Sequence, residues 1–409
     1  MKIKLLFVIA LFLLLTLAAC TPDYSPSQNI AELDNNSYWH LHTTVSACTF
    51  SNAVIAEDGT LWVWGQNTGG ALGDGTAVDR HNPVPTMSYV VSVSLNGWSH
   101  GMAVRGDNSL WTWGGNRYGQ LGDGLVGNET RESGPTYYRI GFRAHPIHVM
   151  DNVISASAGA GNSMAITEDN ILWGWGHNAA GQIGDGTTID RHSPVKIMED
   201  VTFVSALGPR TMAINTDGEL WAWGSNNRGQ LGDGTTVDRH SPVHIMNDVV
   251  FVSSAQGSHT LAITSDGGLW AWGYNEFYQL GDRTTVDRHS PVRVMEDVIY
   301  ASAGNVHSMA VTSDGVLWGW GHNAGGQIGD GTMINRREPV QVMNDIISVA
   351  AGAGHTIAVG VDGSLWVWGS GNAGRLGTGS FLSQLSPVQI MYDVRIPINA
   401  PVQTVIELD

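Results

Sequence analysis

Basic residues are scarce in this chain. Its 409 residues carry 20 Lys+Arg against 37 Asp+Glu, a formal net charge of −17. Lysine occurs only at Lys2, Lys4 and Lys196. Nucleic-acid binding needs a positive footprint, so that class of partner is excluded. Cysteine is scarcer still, with Cys20 and Cys48 alone. Two thiols cannot build a disulfide framework or a cysteine-rich metal site. The body of the chain shows no helical periodicity. It holds no His-Glu-x-x-His and no phosphate loop, and its single Gly-x-Ser-x-Gly, Gly97-Trp98-Ser99-His100-Gly101, lacks the following helix that a nucleophile elbow needs. Its Gly-Asp-Gly segments lack the Asp/Asn spacing of a calcium loop. No catalytic residue, metal or cofactor is therefore assigned.

Tryptophan, by contrast, is abundant and ordered. Trp-x-Trp-Gly begins at Trp62, Trp111, Trp173, Trp221, Trp270, Trp318 and Trp366. The step is 48 or 49 residues, except for 62 between Trp111 and Trp173. A fixed period of this size marks a repeat architecture. In the fourth repeat, Val201–Ala206 and Thr211–Asn215 alternate like strands, and Glu219–Gly224 makes a third. Asp217-Gly218 between the last two predicts a type I′ hairpin turn. The other repeats carry Asp58-Gly59, Asp107-Asn108, Asp169-Asn170, Asp266-Gly267, Asp314-Gly315 and Asp362-Gly363. A glycine-rich loop, 226–234, leads to a fourth strand, Pro242–Met246, with proline at its start. Four short antiparallel strands repeated seven times predict an all-β fold, a seven-bladed β-propeller. The two tryptophans of each motif share one face of the blade, where they fill the gap between neighbours. Val394–Ile398 stands where the opening strand of another repeat would be. It is expected to close the ring, with Tyr38–Thr43 as the other candidate at the seam.

Leu-Trp-x-Trp-Gly-x-Asn-x-x-Gly-Gln-Leu-Gly-Asp-Gly resembles the repeat of the regulator of chromosome condensation family, and the resemblance runs through roughly 43–398. It implies the same seven-bladed propeller. The acidic charge departs from what a chromatin-binding relative would need. Relatives that act as UV-B photoreceptors repeat Gly-Trp-Arg-His-Thr. Here only Gly97-Trp98-Ser99-His100 comes near, once.

At the N-terminus Lys2 and Lys4 precede the apolar run Leu5–Ala19. That run has the shape of a secretory signal and is too short for a comfortable membrane span. Leu17-Ala18-Ala19-Cys20 resembles the lipobox of bacterial lipoproteins. The resemblance implies cleavage before Cys20 and a diacylglycerol on its sulfur. The expected organisation is a signal peptide at 1–19, a lipidated N-terminus and tether at 20–42, the propeller at 43–398 and a tail at 399–409. Such a protein is exported and lipid-anchored to the bacterial cell envelope, touches membrane only through its anchor and is monomeric. Cys48 is expected in the first strand as a small buried apolar residue.

Two recurring polar features need roles. The Gly-x-x-His turn ends at Ser51, His100, Asn162, Arg210, His259, His307 and His355. These are expected to ring one mouth of the channel, the histidines bonding to backbone rather than holding zinc. Asp79-Arg80-His81, Asp190-Arg191-His192, Asp238-Arg239-His240 and Asp287-Arg288-His289 are expected to brace neighbouring blades.

Where the repeats differ, the departures are the better functional candidates, since shared residues build the scaffold, with drift in tolerant loops as the plain reading of any one site. Repeat two has an insertion with Tyr137, Tyr138, Arg139, Phe142 and Arg143, and a lone Trp98. Repeat four has Arg210 in place of histidine. Repeat five has Tyr274, Phe277 and Tyr278, with Arg283 at a glycine position. Tyr, Trp and Arg are the residues of binding hot spots. Strand directions put these departures on one face, with the Asp-Gly turns on the other. The expected function is non-enzymatic binding of an extracellular or envelope protein by that rim, centred on Trp98, Tyr138, Arg210 and Phe277. Two alternatives stand beside it: a lyase or hydrolase acting on cell-wall or polysaccharide material, and an inhibitor of a secreted enzyme.

Overall fold

A computed structural model describes residues 44–96, 100–126, 141–254 and 257–396. Trp98, Tyr137, Tyr138, Arg139, Cys20 and the terminal segments lie outside the described residues. The described chain forms seven four-stranded antiparallel sheets, each a meander in chain order. They span 45–87, 90–150, 153–198, 201–246, 249–295, 298–343 and 346–391, here blades 1 to 7. The first strand of each blade is innermost. In blade 4 the strands are Val201–Ser205, Arg210–Asn215, Leu220–Gly224 and Arg239–Met246.

Three local expectations are corrected. The Asp-Gly turns are not type I′. Only the second residue has positive φ, as at Gly59 (81°) and Asn108 (60°). Gly59 N–H donates to Ala56 C=O, and Ala56 N–H to Thr60 C=O. This is the three-residue loop of a type I turn closed by one left-handed residue. The outer strand begins at Arg239, before Pro242, because the register breaks between Ala222 and Gly224. A bulged edge strand tolerates a missing N–H. Cys48 lies just past the first strand, Val45–Ala47, in the following turn, and is buried.

The second tryptophan of every motif is wholly buried between blades. Its indole N–H donates to a carbonyl in the loop of the preceding blade. The bonds are Trp113 to Ala71, Trp175 to Gln120, Trp223 to Gln182 and Trp272 to Gln230, at 2.9–3.0 Å. Trp320 and Trp368 bond likewise to Gln279 and Gln327, and Trp64 to Arg375 across the seam. The ring of clasps is thus complete. A glycine with positive φ admits each indole; a Cβ on Gly184 would lie 2.5 Å from Trp223 Nε1. The first tryptophan is only half-buried and packs near the outer strand, as Trp221 does on His244 at 5.5 Å.

Around the lumen a second circuit links the inner strands. Ser46 Oγ accepts from Leu95 N–H, Ser94 from Ala158, Ser157 from Ala206, Ser205 from Ser254, Ser253 from Ala303 and Ser302 from Ala351. At the seam the corresponding residue of blade 7 is Ala350, paired with Ile357 as Ser94 is with Met102. Ala350→Ser would complete the circuit with the Ala47 N–H. We expect it to add about 1 kcal/mol, read as a melting temperature higher by about 2 °C.

The seam closes with both chain ends. Val394 bridges Ala56, and Arg395 N–H donates to Ile55 C=O at 2.9 Å. Thr44 C=O then accepts from Ile55 N–H, and Val45 pairs with Val54. The inner strand of blade 1 is therefore assembled from 393–395 and 44–47. Both enter at the Asp-Gly end of the blade.

Candidate functional site

The Gly-x-x-His residues do not ring an open mouth. Ser51, His100, Asn162, Arg210, His259, His307 and His355 are all buried, at 0–1% exposure. Each described histidine reaches the next blade. His100 Nε2 lies 2.8 Å from Ser163 Oγ, His259 Nε2 2.9 Å from Ser308 Oγ and His307 Nε2 3.0 Å from Thr356 Oγ1. His355 Nε2 lies 2.7 Å from Asn52 Oδ1. The tautomer follows from the next bond outward. Ser163, Ser308 and Thr356 spend their own hydrogens on Gln120, Gln279 and Gln327 carbonyls. They can only accept from the imidazole, so Nε2 carries the hydrogen. The bonds run to side chains of the neighbouring blade, not to backbone. Burial holds the pKa of His100, His259 and His307 down at about 3, and that of His355 well below its ordinary value. Neutral, committed imidazoles make a blade clasp. Among the described residues no three His, Cys, Asp or Glu side chains group to hold a metal.

Arg210, expected at the binding rim, is fully buried, and its Nη2 donates to His259 C=O at 2.8 Å. Its place is the interface of blades 4 and 5, where no partner can touch it. Arg143 is also structural in kind. It pairs with Asp123 at 3.4 Å, as Arg80 pairs with Asp74 at 2.6 Å. The recurring Asp-Arg pair thus braces chiefly its own loop, and at one site a neighbour too, where Asp287 of blade 5 accepts from Arg228 of blade 4 at 3.5 Å. Arg191, Arg239 and Arg288 bind Asp185, Asp233 and Asp282 six residues back. Asp79, Asp190, Asp238 and Asp287 accept backbone N–H groups of Asn67, Asn178, Asn226 and Asn275. Blades are joined here by the next residue: the carbonyls of His192, His240 and His289 accept from Gly124, Gly186 and Gly234. Phe142 is exposed at the start of an outer strand, beside Gly70 of blade 1.

Repeat five departs from the other blades in its contacts as well as in its residues. Tyr274 carries Arg228 of blade 4 over its ring at 5.0 Å. It meets Phe277 edge-on at 6.4 Å, and Phe277 meets His322 of blade 6 at 5.0 Å. Arg228, Tyr274, Phe277 and His322 thus form one strip over three blades, on the face opposite the Asp-Gly turns. The glutamate Glu276 accepts from the Tyr274 hydroxyl. Burial, then that hydrogen bond, pushes the phenol up to about 12, so it stays a neutral donor. A second, shorter contact of the same type joins Tyr118 of blade 2 to His177 of blade 3 at 4.2 Å. Sequence reading missed Arg228 and His322. The signal was available: the residue after the motif glycine varies (Gln66, His177, Ser225, Tyr274, His322).

Backbone strain marks the same loop. Tyr278 (φ 66°) and Arg283 (φ 65°) hold left-handed conformations where blade 4 has Gly229 and Gly234. Left-handed backbone costs a non-glycine residue about 1–2 kcal/mol. Such strain clusters at ligand-binding sites. Arg283 Nε reaches Glu338 of blade 6 at 2.7 Å, yet its side chain stays 75% exposed.

A closed ring of seven tryptophan-clasped, four-stranded blades defines the class: a β-propeller of the regulator of chromosome condensation type. A model of the RCC1-like domain matches residues 199–405, and models of the regulator of chromosome condensation (RCC1) repeat match 58–104, 107–166 and 169–206. The chain belongs to this family. It is similar to the ultraviolet-B receptor UVR8 of Arabidopsis thaliana, at 29% identity over 154 residues, covering 36% of this chain and 32% of the receptor. It thus matches about a third of that relative's length. Human WBSCR16 shares the fold at 22% identity and a TM-score of 0.69, over 81% of this chain and 94% of that one. So does Prp20p of Saccharomyces cerevisiae, described with its binding to Gsp1p and histones. The figures are 21% identity, a TM-score of 0.70, and 87% and 88% coverage.

Proposed function

We propose that this propeller is a non-enzymatic interaction scaffold, anchored to the bacterial cell envelope, that grips a protein partner with the rim of blades 4–6. The Arg228–Tyr274–Phe277–His322 strip carries this reading. It offers two half-buried aromatic rings, a cation and an imidazole side by side, the composition of a hot spot. The strained Tyr278 and the outward Arg283 extend it. Both described chain ends meet blade 1 at the Asp-Gly face, opposite the strip.

Capture from envelope and culture-fluid fractions with soluble residues 24–409 tests the reading. Phe277→Ala and Arg228→Ala should each weaken retention of the captured protein roughly tenfold, a cost of about 1.4 kcal/mol. Tyr278→Gly should weaken it as well, while raising stability by up to about 1 kcal/mol through relief of strain. Asp217→Ala, on the other face, should bind as wild type. Full retention by the three rim variants, with loss from Asp217→Ala, would sink the proposal. Anchoring has its own check. Fatty-acid label should enter the wild-type chain and be absent from Cys20→Ala; equal label in both would refute it.

A further inference from the structure

The lumen is not symmetric. One register position on the inner strand, near the Asp-Gly end, differs in kind between blades. Blades 4, 5 and 6 place Phe203, Phe251 and Tyr300 there. Blades 2, 3 and 7 carry Ser92, Ser155 and Ser348 at that position, and of these Ser155 lines the lumen. Phe203 and Phe251 meet at 5.2 Å, and Phe251 and Tyr300 at 5.0 Å. Three aromatic rings thus line the lumen on blades 4–6, and on blades 1–3 Ser46, Ser94, Ser155 and Ser157 line it with no aromatic ring beside them.

Between them lies a cavity of about 100 Å³ bounded by all seven inner strands. A buried water needs about 10–15 Å³ on this measure, so the space equals about seven to ten waters. Toward the Gly-x-x-His end, Leu207 with Ala303, Asn305 and Ala353 leave only about 10 Å³. No Asp, Glu, Lys, Arg or His lines the cavity among the described residues. A charged ligand would lose its hydration with no opposite charge to meet it. The serines offer a specific valence. Ser46, Ser94 and Ser157 each accept a backbone N–H, and that bond does not use the hydroxyl hydrogen. A ring of O–H donors faced by aromatic surfaces suits a neutral ligand rich in oxygen acceptors, with one flat C–H face. Ring stacking of this kind adds to simple burial.

We propose that the lumen is a binding site for a single neutral sugar ring, separate from the rim used for a protein partner. The C–H face of the sugar lies against Phe203 and Tyr300, and its oxygens accept from the serines of blades 1–3. The test is calorimetric and NMR titration of the soluble protein. The probes are D-glucose, D-galactose, D-xylose and N-acetylglucosamine, with D-glucuronate as the charged control. Two variants exchange residues between blades and so keep the fold. Phe203→Ser copies Ser155, and Ser155→Phe copies Phe203. At least one neutral sugar should saturate the wild type. Phe203→Ser should weaken it tenfold or more, and Ser155→Phe should abolish binding by filling the cavity. Glucuronate should not bind. If none of the neutral sugars binds, if glucuronate binds as well as they do, or if binding survives Ser155→Phe unchanged, the lumen holds water only and the proposal falls.

Discussion

Acidification from pH 7 to pH 5 should unfold this propeller or bring it close to unfolding. The sign follows from the buried imidazoles. His100, His259 and His307 titrate at about 3 in the folded chain because burial removes the charged form from water. In the unfolded chain a histidine takes its proton near 6.5. Between these values the unfolded state binds more protons, so stability falls as pH falls. It is fully present above about 6.5 and drains away down to about 3. At pH 5 each of the three contributes a loss of about 2 kcal/mol, about 6 kcal/mol together. His355 adds to this in the same direction. Whole domains have only about 5–15 kcal/mol to lose. The loop carboxylates act later. Burial pushes Asp74, Asp185 and Asp233 up, but bonds from a threonine and an arginine outweigh it and hold them below 3.8. Their stabilisation is lost only as pH drops through that range. Thermal melts from pH 7.5 to 4.5 check the prediction. His259→Gln with His307→Gln keeps a donor at each clasp and should flatten the curve by about half. A pH-independent melt, or one unmoved by the double variant, would contradict it.

Removal of residues 393–409 should open the ring. Three backbone bonds go, Glu57 N–H to Asp393 C=O, Val394 N–H to Gly363 C=O and Arg395 N–H to Ile55 C=O, each worth about 1 kcal/mol. Val394, 2% exposed in the cluster shared by blades 1 and 7, takes roughly 2 kcal/mol of burial with it. The total near 5 kcal/mol predicts a melting temperature lower by roughly 5–10 °C. The Ile55–Ala56 edge is then uncovered, and an open edge pairs with other chains. Aggregation should therefore accompany the lower melt. If the truncation melts as wild type, residues 44–47 close the ring unaided.

The sequence by itself determined the ring of blades. Seven Trp-x-Trp-Gly motifs at a near-constant step leave one architecture, because each blade repeats the same local hydrogen bonds and buries the same indole. It also showed which loops depart from the repeat, and Tyr274 and Phe277 were legible for that reason. What it could not show is which atoms of neighbouring blades meet. Those contacts join residues about 30 to 60 positions apart, and no local pattern encodes them. His259 reads as a turn residue until Ser308 of the next blade is placed 2.9 Å from it. Arg210 reads as an exposed departure until blade 5 covers it. Arg228 and His322 look unremarkable alone; only the closure of blade against blade lays them on either side of Tyr274 and Phe277. The same closure turns Phe203, Phe251 and Tyr300, separated by 48 and 49 residues in sequence, into one wall. Local propensity chose the strands, and the packing of one strand set on the next made the surfaces.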